Sequence, residues 1–225
     1  MRAFDDILRD LGFREAATKL RSPRLQTLSF EAAESTLKLY SELGGTLQVP
    51  KLRPGGWDLQ YSGNFVVELD EQLHFNRYRA LTLESPLIKN LPWTESYRKF
   101  TTDYEGRCLS DSLSMAGKWT SAGSVNLFGS AGTSGDFTSN GSPRWKQRAL
   151  YDYMKDAAAA DGETKLIRLS IYDRVGSFSL DEILEPRLAG VVDVDALRSL
   201  ISRRLSGPVC ELDADTLRIE VQSDS

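Results

Sequence analysis

The sequence predicts a mixed fold of the α/β (α+β) class. Three observations carry that expectation. Two stretches, 30–43 and 143–160, place apolar residues at helical spacing; a turn signal, Ser62-Gly63-Asn64, separates two short runs of strand formers; and the apolar run 166–172 is short enough to be a buried strand. With 225 residues, the chain can bury a sizeable core as one large domain or as a domain with a small appendage.

Residues 3–20 read as an amphipathic surface helix, with Phe4, Ile7, Leu8 and Leu11 at helical spacing, and Ser22-Pro23 breaks it. The second helix, 30–43, carries Ala33, Leu37 and Tyr40 on one stripe and stops at Gly44-Gly45. Glu31 and Glu34 fall in its first turn, where the helix dipole favours acids. A short strand is predicted over 46–49, then a loop over 50–56. Further on, Tyr97, Phe100 and Tyr104 mark a helix opened by Pro92-Trp93, with Thr94 as its predicted N-cap, and an aromatic stripe of this kind reads first as core. Residues 117–142 are rich in Gly, Ser and Thr around Trp119, Phe128 and Phe137, and they are predicted to be a mobile loop that buries little of itself.

The helix 143–160 is the best defined. Pro143 lies near its start and Gly162 past its end, while Leu150, Tyr153, Met154 and Ala157 form the core face. Arg144, Lys146 and Arg148 cluster at its beginning as the leading candidate phosphate-binding group, although a solvated basic turn has the same composition. Beyond Asp173, short helices over 180–188 and 194–205 and a strand over 216–221 make an extension that could pack on the core or mediate dimer formation.

Candidate chemistry concentrates in residues 57–79, WDLQYSGNFVVELDEQLHFNRYR. On the second strand of this hairpin Phe65, Val67 and Leu69 point one way, and Val66, Glu68 and Asp70 the other, which sets two carboxylates about 7 Å apart on one face. A three-residue loop, 62–64, places Asp58 opposite Glu68; a two-residue loop turns Asp58 to the other side. We take the three-residue loop. Acids gathered at a sheet edge repel one another unless a cation lies between them, and hard divalent ions take such oxygen ligands. The only histidine, His74, follows four residues after Asp70. A solvated acidic face and a capping histidine are the bland readings of the same residues.

The helix with its acids, the Asp on a strand and the string VxExDxxxxH resemble the PD-(D/E)XK restriction-endonuclease-like superfamily, and most closely its very-short-patch-repair-like endonucleases. Position by position, the resemblance implies Asp58 and Glu68 as metal-binding acids, Asp70 where the superfamily usually has lysine, His74 as the later catalytic histidine, and Glu34 as the helix glutamate that completes a Mg²⁺ or Mn²⁺ site. Residues 144–173 are similar to the family's closing helix and strand, with Arg148 and Arg168 at its arginine positions. The implied fold is a mixed central sheet flanked by helices, a core over 1–172 with an insertion at 76–143, and an appended 173–225. The implied activity is metal-dependent hydrolysis of nucleic acid, with DNA as the expected substrate. Two departures stand out: Glu71 replaces the usual glycine, and no lysine lies near the acids. The absent lysine favours a rival from another class, a catalytically degenerate module that binds nucleic acid or a protein, while the intact acids and His74 favour the enzyme.

A net charge of −4 gives no global basic signature, so any contact with nucleic acid must come from a local patch. Cys108 and Cys210 form neither a zinc pattern nor a disulfide framework, and neither a Walker nor a G-x-G-x-x-G motif occurs. No apolar run approaches the ~20 residues of a membrane span, and the amphipathic start does not resemble a signal peptide, so a cytoplasmic location is expected.

Overall fold

The computed structural model describes residues 2–113, 119–162, 164–184 and 193–206. The chain divides into two compact units. One holds 1–20, 57–69 and the described residues from 164 on; the other holds 21–56 and 70–163. The residues after 172 thus share a unit with the N-terminal helix and the hairpin, whereas the 76–143 insertion lies wholly in the other unit.

In the first unit, α1 (Arg2–Asp10) buries Phe4 and Leu8, and Leu11 just past its end is buried with them. It is shorter than the predicted 3–20. Gly12 takes a left-handed φ of +97° and ends it, and the chain then runs beside β1 (Leu59–Tyr61), where Glu15 bridges to Tyr61. Tyr61 Oη donates to Asp5 Oδ1 at 2.6 Å, tying helix to strand. β1 pairs antiparallel with β2 (Phe65–Asp70) in the register Leu59↔Val67, Gln60↔Val66, Tyr61↔Phe65. The loop is therefore the three-residue one, with Gly63 and Asn64 both at positive φ.

The hairpin is not an exposed edge. β2 is the centre of a three-stranded sheet, β1-β2-β3, with β3 at Lys165–Ser170. β2 is buried on both faces from Val66 onward, so the expected exposed acidic side does not exist. After β3 come the small hairpin β4 (Arg174–Val175) and β5 (Phe178–Ser179), then α8 (Leu180–Leu184) and α9 (Val194–Arg203). Leu205 then bridges back to Ile167 of β3. The predicted strand 216–221 lies outside the described residues.

The second unit is helical and centres on α7 (Pro143–Ala160), whose bounds match the sequence expectation. Leu150, Tyr153, Met154 and Ala157 are fully buried, and α7 packs against α2 (Phe30–Glu42), α3 (Arg77–Leu83) and α6 (Ala122–Phe128). Residues 46–49 do not form the predicted strand. They follow α2 irregularly, with Thr46 N–H donating to Leu127 O and Leu47 N–H to Tyr40 Oη. α4 (Thr94–Asp103) and α5 (Glu105–Leu113) complete the unit. Thr94 is the first residue of α4 rather than its cap, because its hydroxyl donates to Ile88 O instead. Tyr97 is buried and stacks with Phe75 and Phe100, so the aromatic stripe is core.

The described part of 117–142 is ordered, contrary to expectation. α6 forms inside it behind a capping box at Ser121 and Ser124, and Trp119 and Phe137 pack on Trp145 beside Leu73 and Cys108. Three embedded aromatics outweigh the low apolar content of the rest.

Arg79 and Asp156 form a fully buried ion pair at 2.6 Å between α3 and α7. Breaking such a pair from one side leaves a buried charge without its counterion and typically costs about 3–5 kcal/mol. Arg79→Ala should lower the urea-unfolding free energy by about that amount, whereas Arg79→Met with Asp156→Leu should recover most of it. A loss below about 1 kcal/mol in the single variant would show that the pair does not hold α3 on α7.

Candidate functional site

Asp70 closes β2, and the chain then makes a 3-10 turn, Gln72–His74. That turn brings the imidazole back over the strand end, so that His74 Nδ1 lies 3.2 Å from Asp70 Oδ1. The turn is fixed from both sides. Leu73 is buried in the cluster with Cys108, Trp119 and Trp145, and Asn76 caps α3 by accepting from Tyr78 N and Arg79 N while donating to Leu73 O. From α7, Asp152 Oδ2 reaches the same ring nitrogen at 2.8 Å.

Asp70, His74 and Asp152 offer ligand atoms that all lie within 4.8 Å of one another. Both carboxylates are buried, at 1% and 5% exposure, while the histidine side chain keeps 20% of its surface accessible. At that separation two unit charges repel by roughly 3–4 kcal/mol at an effective dielectric of about 20. His74 Nδ1 lies between them, within reach of an oxygen from each. Two oxygens and an imidazole nitrogen form a donor set that suits Mn²⁺ better than Mg²⁺, which prefers oxygen alone.

The other predicted acids go elsewhere. Asp58 and Glu68 lie in the first unit and engage each other's strands. Glu68 Oε1 accepts from Asp58 N at 3.2 Å, and Asp58 Oδ2 accepts from Leu69 N at 2.9 Å. Glu68 is buried with the equally buried Arg168, whose Nη2 is 3.8 Å from Glu68 Oε2. Arg168, an arginine that the resemblance picked out, thus faces the acid that the resemblance assigned to metal. Glu34 is exposed on α2, outside the Asp70–His74–Asp152 group.

The basic start of α7 separates by helical geometry. Arg144, Arg148 and Asp152 recur every four residues and share one stripe, and Arg144 Nη1 donates to Gln147 Oε1 at 2.6 Å. Burial, and then the charge of Arg148, hold the Arg144 guanidinium below its usual range. Lys146 is two residues off that stripe and points away from it. It is buried, donates from Nζ to Asn140 Oδ1 at 2.7 Å and lies over the Tyr78 ring, so it is a packing donor and not a member of the basic group. Its burial pushes its ammonium down from the ordinary lysine range.

Asp152 was not among the residues read from the sequence. It stands 78 positions from His74, and its neighbour Lys155 offers a local partner that makes it look like an ordinary helix-surface acid. The available signal was a second acid, Asp156, one turn further along a helix with a strongly apolar face.

The turn carrying His74 is also anchored downstream. Glu105 accepts from Arg77 through Nε and Nη2 at 2.8 and 2.9 Å and from Arg77 N at 2.8 Å, and the Arg77 guanidinium lies over the Phe137 ring. Burial alone would raise the Glu105 carboxyl, but the hydrogen bonds and charge of Arg77 outweigh it and hold it below its ordinary value of 4.5. This clamp is therefore fully present above about pH 4.5 and is lost as the pH falls through the lower folded value. Stability of the wild type minus that of Glu105→Gln, followed by denaturant unfolding, should be flat from neutral pH to about 5 and shrink on further acidification. A difference that grows as the pH falls would contradict the clamp.

One family model, described as Family of unknown function (DUF7255), matches residues 38–186, a span that contains Asp70, His74, Asp152 and both arginines of the stripe. No curated protein and no solved structure matches the chain. Among the described residues no helix is long and apolar enough to cross a membrane.

Proposed function

Because the chain belongs to the DUF7255 family, whose description names no activity, we propose a function from the site alone: a divalent-metal-dependent phosphodiester hydrolase acting on nucleic acid, with DNA as the substrate to try first. The observation that carries this reading is the convergence of two buried carboxylates and one imidazole beside a stripe of two arginines.

Asp70 and Asp152 supply anionic oxygens and His74 its Nδ1. A Mn²⁺ or Mg²⁺ ion held there would polarise a phosphate oxygen and acidify a water. Arg148 has no ion-pair partner among the described residues, and with Arg144 it provides positive charge for a phosphate on the same side of α7. The partial exposure of His74 leaves its outer edge open for proton transfer with solvent or the leaving oxygen. Backbone and packing contacts fix each of these groups before substrate arrives.

A second reading rests on a specific observation. Glu68 is already engaged with Arg168 and Asp58 with Leu69 N, as in a nuclease-like scaffold whose outer acids have turned structural. In that case the chain binds nucleic acid or protein without cutting.

Cleavage assays on single- and double-stranded DNA and RNA with Mn²⁺ and Mg²⁺ separate the two. The hydrolase reading expects metal-dependent cleavage that Asp70→Asn and Asp152→Asn each reduce by about a hundredfold or more, with greater activity in Mn²⁺. Full activity in both variants, or no cleavage under any condition, would end it.

A further inference from the structure

The second unit also carries a cleft of about 480 Å³ lined by Arg24, Gln26, Val49, Pro50, Lys51 and Arg53, among others, and none of its lining residues is acidic. The flanking sequence explains the sign. Residues 21–30 and 43–57 supply Arg21, Arg24, Lys51 and Arg53 and contain no acid, Glu31 lying just beyond the first stretch and Asp58 just beyond the second. In a protein of net charge −4, such a cluster is a local reversal of the global charge.

The segment 50–54 is built to display its cations. Pro50, Leu52 and Pro54 are buried, and Lys51 and Arg53 between them are exposed, the alternation of an extended chain with one face on the body. Two residues of extended backbone set the two cationic side chains about 7 Å apart on the same side. The segment is pinned: Arg53 N donates to Tyr151 Oη, Lys155 Nζ to Gly56 O, and Arg24 Nη1 to Pro54 O and Pro23 O. Lys51 and Arg53 have no ion-pair partner among the described residues, and Val49 beside them is 84% exposed.

We infer that this cleft is a nucleic-acid backbone site, in which Lys51 and Arg53 contact successive phosphates and Arg24 backs them. The cations run along an open extended segment and do not converge on one point. That arrangement fits a linear polyanion better than a single small phosphate. The two exposed cations are placed to meet the backbone, the part of the strand that carries no sequence information. The inference deepens the hydrolase reading, on which it rests for the class of ligand, by adding a second place where the strand is held.

Binding is measured by fluorescence anisotropy with labelled single-stranded and duplex DNA in EDTA, over a range of salt, on the full chain. Lys51→Ala with Arg53→Ala should weaken binding about tenfold and reduce the slope of log affinity against log salt by about 2, since each neutralised phosphate contributes nearly one. Both side chains are exposed, so the double variant should keep the wild-type circular dichroism and unfolding midpoint. An unchanged affinity and salt slope, or a wild type that binds polyglutamate but neither DNA, would overturn the inference. Because EDTA removes cleavage from the measurement, an unaffected double variant leaves the hydrolase reading standing, and a chain that binds but never cuts leaves the cleft standing.

Discussion

Two buried carboxylates whose ligand atoms lie within 4.8 Å of one another repel when both are charged, and the second unit brings both to one imidazole nitrogen. Asp70 arrives from the end of a strand, Asp152 from the middle of the longest helix, and His74 from a 3-10 turn held by a buried leucine and an asparagine cap. Arg79 meets Asp156 one turn beyond Asp152, and Arg77 is clamped by Glu105. Losing any of these pairs exposes a neighbour to an uncompensated charge.

The two sets of acids differ in a physically simple way. Asp58 and Glu68 accept from backbone N–H groups across the hairpin, and Glu68 also faces Arg168. Asp70 and Asp152 instead meet over an imidazole that retains access to solvent. The helix stripe 144–148–152 puts two arginines on the face of α7 that carries Asp152, and helical geometry turns Lys146 away from it. The cleft at Arg24, Lys51 and Arg53 adds positive charge in an otherwise acidic protein.

Local signals in the sequence were strong where one residue type decides the outcome. Pro143 and Gly162 bracket α7, and Ser62-Gly63-Asn64 set the hairpin register that places Asp58 opposite Glu68. Asp70 and His74 were visible as a pair because one short turn joins them. Asp152 was not visible, since its meeting with His74 depends on how α7 packs and not on spacing. The same limit explains the other differences. A left-handed Gly12 cuts α1 short, β3 covers what looked like an exposed edge, and Trp119 and Phe137 order a segment whose composition suggested mobility.

The most direct test of the central claim is a Mn²⁺ titration followed by the electron paramagnetic resonance signal of free metal, on the wild type and on Asp152→Asn. The account predicts one bound ion per wild-type chain, displaced by excess Zn²⁺ and lost in the variant. Saturable Mn²⁺ binding that is the same in Asp152→Asn, or no binding in either protein, would mean that Asp70, His74 and Asp152 form a proton-bridged structural cluster and not a metal centre.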